Sequence, residues 1–161
     1  MLELQQMSEQ IPACCADCLP YMVEKASIYL RLRGSFILNK LGSGLTLEQF
    51  ITLDAISSCK EICQRDLAKI VLKDRSNITR ILKILEEKGL ITREPSTREK
   101  RIVKLIKLTD EGQEIINKYS LSVKTDLEEF FSDFDKNDIK SFRNVLERIV
   151  SKISEKQNIQ I

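Results

Sequence analysis

Histidine is absent from this 161-residue sequence, and glycine occurs only five times. Without histidine the chain lacks the commonest general base and the commonest metal ligand of proteins. So few glycines leave little material for a loop that cradles nucleotide phosphates, and no Gly-x-Ser-x-Gly or paired-carboxylate motif is found. We therefore expect a protein that is not an enzyme, with no catalytic residues and no cofactor.

Long apolar runs are also missing. No stretch approaches the roughly 20 residues of a membrane-spanning helix, and the beginning, MLELQQMSEQIPACC, lacks the basic and apolar blocks of a secretory signal. Hydrophobic residues make up 42% and charged residues 31% of the chain, which is typical of a folded protein. We expect one cytoplasmic domain over residues 1–161, with no membrane contact.

Charge is unevenly distributed, although the formal net charge is only +2. Residues 60–108 carry 14 basic and 7 acidic side chains, whereas acidic residues are in excess before and after that segment. A basic middle favours a polyanionic partner for the middle segment, although a solvated charged face is an equally good explanation from charge alone.

The spacing of apolar residues predicts four helices, a β-hairpin and two further helices. The expected fold is therefore mainly α with a small β element. The first helix covers residues 20–40, and the second begins at Thr46 with a capping-box pattern. The third includes ICQRDLAKIV, and the fourth begins after Asp74 and ends at Lys88-Gly89. LITREP and KRIVKLIKL form the hairpin around PSTREK. A helix of about 22 residues follows from Thr109, and a further helix starts at Asp135 and runs to the end of the sequence.

The fourth helix has two different faces. Its apolar residues recur at helical spacing and predict a core-facing stripe, while the opposite side carries polar residues suited to base edges and phosphates. A short turn joins it to the third helix, which is a helix-turn-helix arrangement, and the hairpin is then a wing. The predicted DNA-binding residues on this helix are Arg75, Ser76, Asn77, Thr79, Arg80 and Lys83.

Basic residues also cluster at the hairpin. Arg93, Arg98, Lys100 and Arg101 are expected around its tip, with Arg98 as the tip residue. Arginine is favoured in the negative potential of the minor groove, so Arg98, Lys100 and Arg101 are predicted DNA contacts. Glu99 is predicted to support the wing by orienting Arg101 through an ion pair; the alternative is a glutamate that is merely exposed and has no such role.

TLEQFITLDAI and the later RDLAKIVLKDRSNITRILKILEEKGLITREPSTREKRIVKLIKLTDEG resemble the MarR family of winged-helix regulators. The resemblance implies a winged helix-turn-helix lobe over residues 46–108 and dimerisation helices over 11–44 and 109–156. It implies a homodimer that binds a pseudo-palindrome in double-stranded DNA, here expected to be a repressor. Two departures are Glu99-Lys100-Arg101, where the family usually has Asp-Arg-Arg, and Arg75, where proline is common.

Family members usually lose DNA affinity when a small anion or phenol binds or when a cysteine is oxidised. Cys14, Cys15 and Cys18 form a Cys-Cys-x-x-Cys motif, which in a reducing compartment indicates redox or metal chemistry. Cys59 and Cys63 fit small buried hydrophobes as well. The peroxide-sensing branch of the family has its reactive cysteine inside the first helix, where Met22 to Glu24 include none. Three alternatives remain for the signal: a small-molecule effector, a thiol sensor and a cysteine-only metal site. Two alternatives remain for the function: a redox- or metal-responsive thiol protein, and a winged helix that binds protein without specific DNA readout.

Overall fold

The computed structural model describes residues 18–59, 61–98 and 101–157. Within these ranges the chain forms a mainly helical fold with a small antiparallel sheet, which confirms the predicted fold class. In chain order the elements are α1 (Leu19–Lys40), α2 (Leu47–Ser57), β1 (Ile62–Cys63), α3 (Gln64–Ile70), α4 (Arg75–Glu87), β2 (Ile91–Arg98), β3 (Arg101–Leu108), α5 (Asp110–Phe131) and α6 (Lys136–Gln157). None of the described helices has the length and apolar character needed to cross a membrane.

Local capping explains why several helices begin where the sequence predicts. Thr46 and Gln49 exchange side-chain and backbone hydrogen bonds at the start of α2, which completes the capping box. Asp74 accepts a hydrogen bond from the backbone N–H of Asn77 at 2.8 Å, and Thr109 caps α5 in the same way. These bonds satisfy N–H groups that have no partner inside the helix.

The core lies between α2, α4 and the sheet. Leu53, Leu82 and Leu85 are fully buried, and Ile56 and Ile81 are nearly so. The buried side chains of α4 belong to the core-facing stripe predicted for that helix. Burial of a leucine side chain is worth about 1.5–3 kcal/mol, so this cluster holds α4 firmly against the rest of the lobe.

Strand β1 was missed by the sequence interpretation, which assigned Ile62 and Cys63 to the third helix. In the structure Ile62 pairs with Ile106 and Cys63 with Leu105, and α3 begins only at Gln64. Two residues are too few to show a strand periodicity. Their extended conformation depends on pairing with β3, which lies more than 40 positions away in the sequence.

The wing strands are longer than expected. Strand β2 continues through Pro95 to Arg98, so most of the segment PSTREK is strand and not turn. The sheet order is β1-β3-β2, which places β2 at an edge. Proline is tolerated there because an edge strand has N–H positions that need no ladder partner. Arg98 is opposite Arg101 at the far end of the paired strands.

Helices α1, α5 and α6 expose many large apolar side chains. Arg33 joins α1 to α5: its guanidinium donates to Asp126 at 2.7 Å and lies 4.4 Å from the centre of the Phe130 ring. Apart from such contacts, large apolar residues of these helices and of the α5–α6 turn remain exposed, namely Leu19, Met22, Ile28, Tyr29, Leu30, Leu32, Phe36, Leu121, Leu127, Phe130, Phe131, Phe134, Phe142, Val145, Val150 and Ile153. A surface this apolar is unusual for a monomer.

Candidate nucleic-acid interface

The polar face of α4 is exposed over its whole length. Ile78, Ile81, Leu82 and Leu85 are at most 1% exposed, which fixes the rotation of the helix about its axis. The opposite side therefore faces solvent, and every residue predicted from it is exposed: Arg75, Ser76, Asn77, Thr79, Arg80 and Lys83. These six side chains form one continuous surface on the second helix of a helix-turn-helix unit, as direct base reading requires.

Asn77 and Thr79 are held by hydrogen bonds to neighbouring residues. The Asn77 amide donates to Asp74, whose carboxylate also caps the helix, so the cap and the recognition residue restrain each other. Hydrogen bonding, first of all from the Asn77 backbone N–H, lowers the pKa of Asp74 below its ordinary value and keeps it charged at neutral pH. Thr79 donates to the Arg75 carbonyl at 2.6 Å and accepts from the Gln64 amide at 2.7 Å.

A basic cavity of about 690 Å³ opens between α3, the start of α4 and β3. Its cationic lining is Arg65, Lys69, Lys73, Arg75 and Lys104, and its apolar lining includes Ala68, Ile78 and Val103. Of the cations, only Arg75 was predicted as a site residue. The one signal in the sequence was the excess of basic residues over 60–108; residue spacing does not reveal that α3 and β3 meet here.

One basic residue of the hairpin, Arg93, lies near the base of the wing and is paired with a carboxylate. Arg93 was expected near the tip, but it lies opposite Ile106 and forms a salt bridge with Glu86 of α4. Its side chain is only 19% exposed, and the hydrogen bonds from Arg93 lower the pKa of Glu86. Arg93 therefore anchors the wing to α4 and lies away from the tip.

Arg98 ends β2 and Arg101 begins β3, so the predicted tip lies between them. Their backbone positions agree with a two-residue tip. Glu99 and Lys100 lie outside the described residues, and the predicted Glu99–Arg101 ion pair stays a prediction. The tip is at the opposite end of the hairpin from the α5 junction, where Ile91 pairs with Leu108.

The cysteines are only partly within the structure. Cys14 and Cys15 lie outside the described residues, whereas Cys18 is exposed immediately before α1. Cys63 is buried at the edge of the basic cavity, and its thiol donates to Asp66 at 3.0 Å. Among the described residues no group of three or more Cys, Asp or Glu is placed to hold a metal ion.

A second cavity, of about 360 Å³, lies between α1, α2 and α4. Its walls combine apolar side chains, including Ile28, Leu32 and Ile84, with Arg31, Arg80 and the carboxylate of Glu48, which forms a salt bridge with Arg31 at 2.7 Å. The crevice thus connects a flanking helix with the recognition helix, and its lining is both apolar and charged.

Comparison with known proteins gives consistent matches. The model of the MarR family matches residues 45–103, from the start of α2 to β3. An uncharacterised HTH-type transcriptional regulator of Bacillus subtilis, YdgJ, is 29% identical over 138 residues, which cover 81% of this chain and 82% of that protein.

Solved structures share the fold over most of their length. Wild-type MarR from E. coli, in its apo form, has a TM-score of 0.65 and 26% identity, and the match covers 86% of this chain and 97% of that one. The complex of S. aureus MepR with DNA has a TM-score of 0.72 at 20% identity, with 84% and 96% covered. These matches include the flanking helices as well as the winged lobe.

Proposed function

This chain belongs to the MarR family of winged-helix transcriptional regulators, and from that premise we propose that it is a repressor that binds a pseudo-palindromic operator as a homodimer. The observation that carries this proposal is the fully exposed polar face of α4 beside the basic cavity. MepR, which shares this fold, was solved in a complex with DNA, and this supports DNA as the partner.

The surface divides into base-reading and phosphate-binding parts. Asn77 and Arg80 lie in the first turns of α4, where they reach base edges in the major groove; asparagine pairs with adenine and arginine with guanine. Ser76 and Thr79 lie beside them, and Lys83 lies one turn further on. The cations around the basic cavity contact the sugar-phosphate strand that passes between α4 and the wing. Arg98, Lys100 and Arg101 enter the adjacent minor groove, and Glu99 orients Arg101.

The proposal is tested by selecting binding sites from a randomised duplex pool and measuring affinity by fluorescence anisotropy. We expect the enriched sites to have two symmetric halves about one helical turn apart. An excess of scrambled duplex should not displace such a site from the protein. Arg98→Ala should weaken operator and scrambled duplex similarly, whereas Asn77→Ala and Arg80→Ala should also relax base preference. Equal losses on both duplexes for all three variants would contradict these roles, and no enrichment at all would favour a protein-binding winged helix.

The uncovered apolar residues of α1, α5 and α6 support the proposed homodimer. A second copy of the chain buries this surface by intertwining the same helices, which also places two recognition helices for two half-sites. Sedimentation equilibrium of the whole protein should give a dimer at micromolar concentration. Phe142→Glu and Val150→Glu lie on exposed positions of α6 and should shift the protein to monomer, with loss of operator binding. A wild-type monomer that still binds a full operator would overturn this part.

Two effector mechanisms are consistent with the chain. An aromatic carboxylate that enters the crevice between α1, α2 and α4 would have to displace Glu48 from Arg31; it would then contact Arg31 and Arg80 and compete with DNA for Arg80. Oxidation of Cys14, Cys15 or Cys18 by peroxide would instead act at the beginning of α1. Anisotropy with benzoate, and separately after hydrogen peroxide and then dithiothreitol, distinguishes them: release by benzoate supports the crevice, and release reversed by dithiothreitol but absent in Cys18→Ser supports the thiols.

A further inference from the structure

One carboxylate connects three separate parts of the molecule. Glu48, in the first turn of α2, accepts a hydrogen bond from Arg31 of α1 at 2.7 Å and one from Lys73 at 2.5 Å, both at Oε1. Its other oxygen, Oε2, lies 4.0 Å from a guanidinium nitrogen of Arg80 on α4. Lys73 belongs to the turn between α3 and α4, so two of the three partners are on the proposed DNA surface.

The charge at this point is stable at neutral pH. Hydrogen bonds from Lys73 and then from Arg31 lower the pKa of Glu48, and its side chain is only 29% exposed. Lys73 is 20% exposed, so the Glu48–Lys73 pair is more shielded from solvent than an ordinary surface ion pair.

Restraint of Arg80 has a consequence for recognition. Its side chain is 62% exposed, and without a neighbour it is free to follow any nearby phosphate. A carboxylate near one end of the guanidinium attracts that end, while the remaining N–H donors stay available for a base edge. The same carboxylate holds Lys73 and repels phosphate oxygens that approach α4 in a non-cognate register.

We propose that Glu48 is a positioning residue for DNA recognition, which restrains Lys73 and Arg80 and so favours the operator over other sequences. The inference rests on the proposed DNA-binding function of α4. Glu48 does not contact DNA in this scheme; it acts through the two cations. Its removal should therefore increase affinity for arbitrary DNA while it reduces discrimination, which is the opposite of what a purely structural residue would do.

The test uses Glu48→Gln, which keeps the size of the side chain and removes its charge. Dissociation constants for the selected operator and for a scrambled duplex are measured by anisotropy at several salt concentrations. We expect binding to the scrambled duplex to tighten about two- to fivefold and the operator preference to fall by a similar factor. The salt dependence should become steeper by about one phosphate contact, because Lys73 and Arg80 are released to neutralise the backbone.

A matched control separates this effect from a change in total charge. Glu94→Gln removes one negative charge from the same lobe, where Glu94 pairs with Lys107 on the wing and contacts neither Lys73 nor Arg80. This variant should leave the operator preference unchanged. If it lowers the preference as much as Glu48→Gln does, the effect is one of net charge and the proposal is wrong.

Two further variants test whether Glu48 acts through its cationic neighbours. In an Arg80→Ala background, Glu48→Gln should cause no further loss of discrimination; an undiminished loss would show that Glu48 does not act through Arg80. Arg31→Met removes one of the three cations that share the Glu48 carboxylate, so Glu48 should hold Lys73 and Arg80 more strongly. Binding to the scrambled duplex should therefore weaken, and tighter binding would contradict the proposal.

The outcomes also separate this inference from the proposed function. If the wild-type protein shows no operator preference, the proposed function fails and the inference fails with it. If the wild type discriminates but Glu48→Gln weakens both duplexes equally and lowers the unfolding temperature, the proposed function stands and Glu48 is only structural.

Discussion

Replacement of Gly112 by alanine tests how closely α5 approaches the end of the winged lobe. A Cβ atom built on Gly112 would lie 2.1 Å from the carbonyl oxygen of Leu90 and 3.1 Å from its carbonyl carbon. Ordinary contact begins at about 3.4 Å, so the two backbones would have to separate by more than 1 Å. The Leu90 carbonyl is not free to move, because it accepts a hydrogen bond from the Thr109 N–H at 3.1 Å.

The magnitude follows from these contacts. Overpacking of a close-packed site costs about 1–3 kcal/mol, and weakening of the Thr109–Leu90 hydrogen bond adds about 1 kcal/mol. We therefore expect Gly112→Ala to lower the free energy of unfolding by about 2–4 kcal/mol. For a chain of this size that corresponds to a fall in the melting temperature of roughly 5–15 °C.

Thermal and urea unfolding followed by circular dichroism measure the change, at one fixed protein concentration because the proposed dimerisation would contribute to stability. Gly34→Ala is the matched control: the three atoms nearest to its Cβ would all belong to the flexible Leu47 side chain, the closest at 2.8 Å, and alanine raises helix propensity in the middle of α1. It should change stability by less than about 1 kcal/mol. If Gly112→Ala is as stable as the wild type, the close approach of α5 to Leu90 is refuted.

Three further predictions concern the turn, the wing anchor and the helix cap. Leu72 is exposed and has a φ of 52°, so Leu72→Gly should raise stability by about 0.5–1 kcal/mol in urea unfolding; a loss would contradict strain in this turn. The pKa of Glu86 is lowered by Arg93, so the stabilisation from this pair is present above the unfolded-state pKa and is lost as pH falls through the folded-state pKa. The stability difference between wild type and Glu86→Gln should therefore shrink below about pH 4, whereas a constant difference would refute the assignment. Asp74→Ala removes the cap of α4 and should weaken operator binding more than it changes overall unfolding, as hydrogen exchange at Asn77 would report; unaltered exchange there would exclude the cap as the cause.

Much of the recognition helix is determined by contacts between residues close in sequence. Asp74 and Asn77 are three positions apart, and so are Thr46 and Gln49 at the start of α2. The four buried residues of α4 recur at helical spacing, which determines which side faces the core. Cap and stripe together predict both the start of α4 and its exposed polar face, and the structure has both.

The wing shows where such local reasoning stops. The turn residues of PSTREK predict a loop, yet β2 continues to Arg98 because pairing with β3 and the edge position of Pro95 outweigh local preference. Arg93 looks like any other basic residue of the hairpin until its register places it beside Glu86. The roles of Glu99 and Lys100 and of Cys14 and Cys15 stay predictions, since these residues lie outside the described part of the chain.

The helix order, the caps and the two faces of α4 could be predicted from the sequence, because these depend on residues within one or two helical turns of each other. The cations that share a surface, and the carboxylate that restrains Lys73 and Arg80, became visible only once the elements were packed together. Glu48 meets Arg31 and Lys73 across separations of 17 and 25 residues, and the basic cavity is assembled from α3, α4 and β3. Such contacts depend on how whole elements pack against a common core, and residue spacing along one element does not contain that information.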